Sequence, residues 1–87
     1  MPHRATADEI IEWSRDHIAQ TLSRPRERID PDSKLSRQGL DSATSVHLMM
    51  ALEEWLDIEL APELVMEHET LRKLSGYIAG LLAEQNG

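Results

Sequence analysis

The sequence predicts an all-α fold, a four-helix bundle with three main helices, one short helix and a long loop between helices 1 and 2. Three observations carry this. Apolar residues recur at helical spacing over about residues 7–22, 42–56 and 71–83. Each of these runs begins at a residue able to cap free backbone N–H groups: Thr6, Asp41 or Ser42, and Thr70. Between the first two runs, residues 23–40 show no period at all.

Thr6 followed by Glu9 reads as a capping box, and Asp8 and Glu9 complement the positive end of a helix. Ile10, Ile11, Trp13, His17, Ile18 and Leu22 form the stripe of this first helix, which the Ser23-Arg24-Pro25 break closes. Trp13 and His17 share one edge of the stripe and are expected to cover the core rim without taking part in chemistry. The polar ends, Met1–Ala5 and Glu84–Gly87, are expected to fray. In residues 23–40, Pro25 and the Asp30-Pro31-Asp32-Ser33 cluster are turn chemistry. Ile29, Leu35 and Leu40 are isolated apolar anchors, so the segment is expected to be an ordered loop laid across helix ends. A connection of this length lets the first two helices run in the same general direction, within a bundle of antiparallel type overall.

Gly39 lets the chain turn just before the second helix, where Asp41 or Ser42 is the cap. At about 100° per residue, Ser45, Leu48, Met49, Leu52 and Leu56 share one face, the expected core face. Ala43, Val46 and Met50 fall on a different arc, with Glu54 on the same side, and read as an exposed docking patch beside Ser42. Asp57–Ala61 is a connector, and Pro62 opens a short helix, about 62–66, with Leu64 and Val65 turned inward. The last helix, about 71–83, carries Leu71, Leu74, Ile78, Leu81 and Leu82 as its stripe. Gly76 and Gly80 each cost it about 1 kcal/mol relative to alanine. They fit either a close helix–helix approach or a loosely held last helix.

Composition narrows the function. Eighty-seven residues make one domain, 1–87, too small for an enclosed catalytic cavity with a lid. A formal net charge of −7 argues against nucleic acid and suits partners that carry basic patches. With no cysteine there is no disulfide frame and no thiolate nucleophile. The N-terminus lacks the apolar core of a signal peptide and no apolar run approaches membrane-spanning length, so a cytoplasmic protein without membrane contact is expected. Two Trp, one Tyr and no Phe leave an aliphatic, methionine-containing core. Ser42, Asp41 and His47 supply the residue types of a hydrolase triad but not its geometry. Five helical positions separate Ser42 from His47 by about 7.5 Å of rise, beyond the reach a nucleophile and its base require. His3, His17, His47 and His68 show no metal-ligand spacing. The chain therefore reads as a protein without catalytic residues and without a metal.

Gly39-Leu40-Asp41-Ser42, followed by a helix that ends Ala51-Leu52-Glu53-Glu54, resembles the attachment motif of acyl carrier proteins, and the resemblance covers roughly residues 6–83. It implies an acyl-carrier-like bundle in which Ser42 carries a 4'-phosphopantetheine arm, with Asp41 as its motif neighbour. The arm's terminal thiol would then hold acyl cargo as a thioester. A helix N-terminus suits the phosphodiester anion, because its N–H groups and partial positive charge face that site. The implied partners are a phosphopantetheinyl transferase and acyl-loading and acyl-transfer enzymes such as ligases, acyltransferases or ketosynthases. They would dock on Ala43, Val46, His47, Met50, Glu53 and Glu54, and the carrier alone would be a monomer. Aspartate before Ser42, and the stretch from Leu60 to Leu71, resemble polyketide-type carriers. Ala43, Thr44 and His47 depart from the fatty-acid pattern, which usually has leucine and acids there. A discrete carrier for polyketide or related specialised-metabolite biosynthesis is the main expectation. An aminoacyl or peptidyl carrier of a nonribosomal-type pathway is the alternative within the family, and an unmodified helical interaction module the alternative outside it.

Overall fold

A computed structural model describes residues 5–86. Its helices are α1 (Ala7–Leu22), α2 (Ser42–Leu56), α3 (Leu64–Glu67) and α4 (Leu71–Asn86), with no strand among the described residues. Two short 3-10 turns, Arg26–Arg28 and Leu35–Gln38, interrupt the long loop. The short helix begins two residues later than the proline suggested, because Pro62 and Glu63 form the turn that leads into it. At the C-terminus α4 continues to Asn86, beyond the expected stop near residue 83, so the backbone of residues 84–86 is helical. The expected fraying of residues 1–4 and 87 lies outside the described residues.

The caps follow the side chains. Thr6 Oγ1 accepts from the Glu9 N–H at 3.1 Å while Glu9 Oε1 accepts from the Thr6 N–H at 3.0 Å, closing the capping box of α1. Thr70 Oγ1 accepts from the Lys73 N–H at 3.2 Å at the start of α4. α1 and α2 each end on a left-handed residue, Ser23 (φ 54°) and Asp57 (φ 55°), where glycine is the commoner choice.

The core is aliphatic. Ile10 and Ile18 from α1, Leu48, Met49, Leu52 and Leu56 from α2, and Leu71, Leu74 and Ile78 from α4 are almost completely buried. Ser45, expected on the core face of α2, is only half-buried. Ile29, Leu35 and Leu40 do anchor the loop, at 1%, 3% and 6% exposure. Gly76 and Gly80 are exposed, and a Cβ at either would meet nothing within 4 Å. Neither glycine permits a close approach, so that reading is withdrawn.

One directional expectation is corrected. Trp13 stacks on Trp55 near the end of α2 (centroids 4.7 Å), whereas His17, one turn later, faces His47, two turns earlier (5.3 Å). α1 and α2 therefore run in opposite directions. The long loop does not carry the chain back along α1, because it returns to where it left: Arg24 Nη1 donates to the Gln38 carbonyl at 2.7 Å. On the way out Arg15 Nε donates to the Ile29 carbonyl at 3.0 Å, and Arg26 pairs with Glu12 and Asp16. At the far side the Arg72 N–H donates to the Pro31 carbonyl at 3.0 Å and the Leu35 N–H to the Glu69 carbonyl at 2.9 Å. Gln38 closes the excursion from inside. Its Nε2 donates to the Asp30 and Ser33 carbonyls at 2.8 and 3.0 Å, and its Oε1 accepts from the Asp30 N–H at 2.7 Å.

Candidate functional site

The loop delivers the chain to α2 through Gly39, whose φ of 103° lies where an L side chain is strained. Asp41, not Ser42, is the N-cap. Asp41 Oδ1 accepts from the Thr44 N–H at 2.9 Å, and Thr44 Oγ1 accepts from the Asp41 N–H at 2.9 Å. Thr44, at the third helical position, returns the bond to the Asp41 N–H as Glu9 does to the Thr6 N–H in α1. The Thr44 N–H first, then its hydroxyl, hold the Asp41 carboxyl below the usual carboxylate range. Ser42, the first residue of the helix, is thus relieved of capping and stands exposed.

Beside Ser42 opens a cleft of about 640 Å3 between the loop, α2 and α3. Its apolar lining comes from Leu35, Leu40, Val46, Val65 and Met66, and Lys34 is the cation on its rim. Lys34 Nζ lies 3.4 Å from Glu69 Oε2. An exposed serine at a helix start, next to a cleft with apolar walls, fits a long, flexible phosphodiester-linked arm.

The other expected site residues separate into two groups. Ala43, Val46 and Met50 are exposed, Val46 at 39% and Met50 at 58%, and Glu54 is exposed beside them. Glu53 is half-buried, and its Oε2 accepts from the Leu60 N–H at 3.0 Å, so this carboxylate ties down the connector after α2. His47 is exposed but its ring turns toward His17 on α1. Met66, at 78% exposure, is a further apolar residue on the cleft that the sequence reading passed over. The signal was present: with Leu64 and Val65 turned inward on a one-turn helix, the next residue has to face out. Among the described residues no group of three potential ligands is placed to hold a metal ion, and no helix is long and apolar enough to cross a membrane.

Residues 12–78, which include this site, match the family described as the phosphopantetheine attachment site. The chain belongs to the phosphopantetheine-binding carrier proteins. It is a carrier, acted on by partner enzymes and not itself catalytic, and its family's cofactor is phosphopantetheine. The carrier is 30% identical over 74 residues to the acyl carrier protein TtuC of Teredinibacter turnerae, covering 85% of each chain. It is 33% identical over 72 residues to the polyketide synthase PksN of Bacillus subtilis, where the match takes in 83% of the carrier but only 1% of the synthase. In three dimensions it resembles a free-standing peptidyl carrier protein from a secondary metabolic pathway of Acinetobacter baumannii. That match has a TM-score of 0.84 and 28% identity, and covers 88% of this chain and 96% of the other.

Proposed function

We propose that this carrier holds acyl intermediates as thioesters on a 4'-phosphopantetheine arm attached to Ser42, in polyketide or related specialised-metabolite biosynthesis. One observation carries the assignment to Ser42: in a chain of this family, it is the exposed serine at the start of α2, uncommitted to the cap and bordering the apolar cleft. On loading, Ser42 Oγ loses its proton and gains the phosphodiester while the nucleotide half of coenzyme A leaves. The arm, once attached, supplies the thiol that the cysteine-free chain lacks. Asp41 and Thr44 hold the start of α2 in place, and Val46, Met50 and Met66 offer apolar contact to a partner on either side of the arm. The partners are a phosphopantetheinyl transferase and then acyl-loading and acyl-transfer enzymes. On this reading the carrier is loaded from coenzyme A as a monomer in the cytoplasm.

The similarity to polyketide synthases and to a discrete acyl carrier supports the acyl reading. The likeness to a free-standing peptidyl carrier supports a second one, in which the thiol holds an aminoacyl or peptidyl group. Intact mass after incubation with coenzyme A and a broad-specificity transferase tests the common part. A single gain equal to the phosphopantetheine moiety, absent in Ser42→Ala, is expected. No gain with several transferases would leave an unmodified interaction module instead. Loading assays with acyltransferases and with amino-acid-activating enzymes then separate the two cargo classes.

A further inference from the structure

Four rings form a ladder across the α1–α2 seam. Trp13 lies between Trp55 and His17, with centroids at 4.7 and 5.4 Å and planes within 2° and 9°. His17 in turn faces His47 at 5.3 Å. Packing of this kind suits a neutral His17. Its Nε2 is fully buried and meets no hydrogen-bond partner among the described residues. A charge placed there would be both unsolvated and unpaired.

The surroundings offer no counter-charge. His17 lines a tight crevice with Ile18, Thr21 and Leu22 of α1, Leu40 of the loop, and Thr44 and Leu48 of α2, none of them charged. The acids of α1 that lie nearest in sequence, Glu12 and Asp16, are engaged by Arg15 and Arg26. The one titratable group acting on His17 is His47, a like charge once protonated. His47 itself lines a shallow depression with Glu53, Glu54 and Asp57. A proton on the exposed His47 ring therefore opposes one on the half-buried His17 ring. Burial first, and the charge of His47 second, hold the His17 imidazole below the usual histidine range.

We propose that the Trp55–Trp13–His17–His47 ladder is a proton-sensitive joint: it clamps α1 to α2 while His17 is neutral, and protonation of His17 loosens it and frees the start of α2. The last step runs through Thr44, which shares the His17 crevice and also closes the capping box on Asp41 beside Ser42. The sign follows from linkage. The folded chain binds this proton less readily than the unfolded one, so stability is complete above about 6.5, the ordinary histidine pKa. It is lost as pH falls below that value toward the folded-state pKa. The proposal does not depend on the role of Ser42, so the unmodified 87-residue chain serves for the test.

Both tryptophans of the chain belong to the ladder, so tryptophan near-UV circular dichroism and fluorescence report on it alone. Melting temperature and the tryptophan signal are followed from pH 8 to pH 5 for the wild type, His17→Phe and His47→Gln. The wild type is expected to lose tryptophan asymmetry and thermal stability in a transition centred below the ordinary histidine range. His17→Phe, which keeps a flat ring on Trp13 and removes the proton, should lose that transition, and His47→Gln should move it to higher pH. An unchanged transition in His17→Phe, or a wild type flat down to pH 5, overturns the proposal. Should His17→Phe fail to fold, NMR titration of the wild-type histidine ring protons decides. His17 is expected to titrate below the ordinary histidine range, with the Ser42–Thr44 amides following the His17 midpoint. A His17 midpoint at or above the ordinary histidine value, or amides that ignore His17, overturns it equally.

Discussion

Replacing Gly76 and Gly80 together by alanine should make this carrier more stable. Both lie inside α4, both are exposed, and a Cβ at either site would meet nothing within 4 Å. The substitution then meets no steric opposition, and what remains is the backbone entropy glycine loses on entering a helix. That is worth about 1 kcal/mol per site, partly through restriction of the unfolded chain. The two sites share no core partner, so the gains should nearly add, to about 1.5–2 kcal/mol. For a domain of this size, each kcal/mol moves the melting midpoint by about 4–8 °C, so the double variant should melt about 6–16 °C higher. Circular dichroism melts and urea titrations give the measurement, with an unchanged urea slope expected because the same surface is exposed on unfolding. Gly39→Ala is the internal contrast. At φ 103° the same chemical change should lower stability. A Gly76→Ala/Gly80→Ala protein that melts no higher than the wild type would refute the reasoning, and would mean that α4 approaches something at these positions after all.

Leu52 has no exposed surface, and Leu52→Ala should cost about 2–5 kcal/mol in chemical denaturation, against almost nothing for Met50→Ala. Because Asp41 is the cap, Ser42→Ala should melt with the wild type while abolishing the phosphopantetheine mass gain, whereas Asp41→Ala should melt lower. Gln38→Ala removes three hydrogen bonds from inside the loop and should speed amide exchange at Asp30, with a loss of about 1–3 kcal/mol. On a loaded carrier at fixed salt, Met50→Glu should slow turnover by a partner enzyme more than Glu54→Gln does. Normal turnover by Met50→Glu beside a crippled Glu54→Gln would make docking chiefly electrostatic.

Residues acting on their own neighbours were legible without a structure. The start of α1 follows from Thr6 and Glu9, three positions apart, and the core face of α2 follows from Leu48, Met49, Leu52 and Leu56 at helical spacing. The exposed arc of Ala43, Val46 and Met50 is the complement of that face. Each of these depends on a period or a cap that a few consecutive residues contain.

The rest depended on which distant segments met. That α1 and α2 are antiparallel, that Gln38 pins Asp30 and Ser33, and that Arg24 closes the loop on the Gln38 carbonyl are contacts across five or more residues or between elements. A sequence period carries no information about them. Glu53 was expected on the docking surface, yet the Leu60 N–H, arriving after the turn at Asp57, takes its carboxylate. The histidines illustrate the same division. The chain alone places His17 on the rim of a helix stripe and His47 near the head of another, and only packing α1 against α2 brings the two rings within 5.3 Å. Local spacing thus determined the helices and the arc of α2 that stays exposed, while the direction in which the helices pack decided which of their side chains are shared.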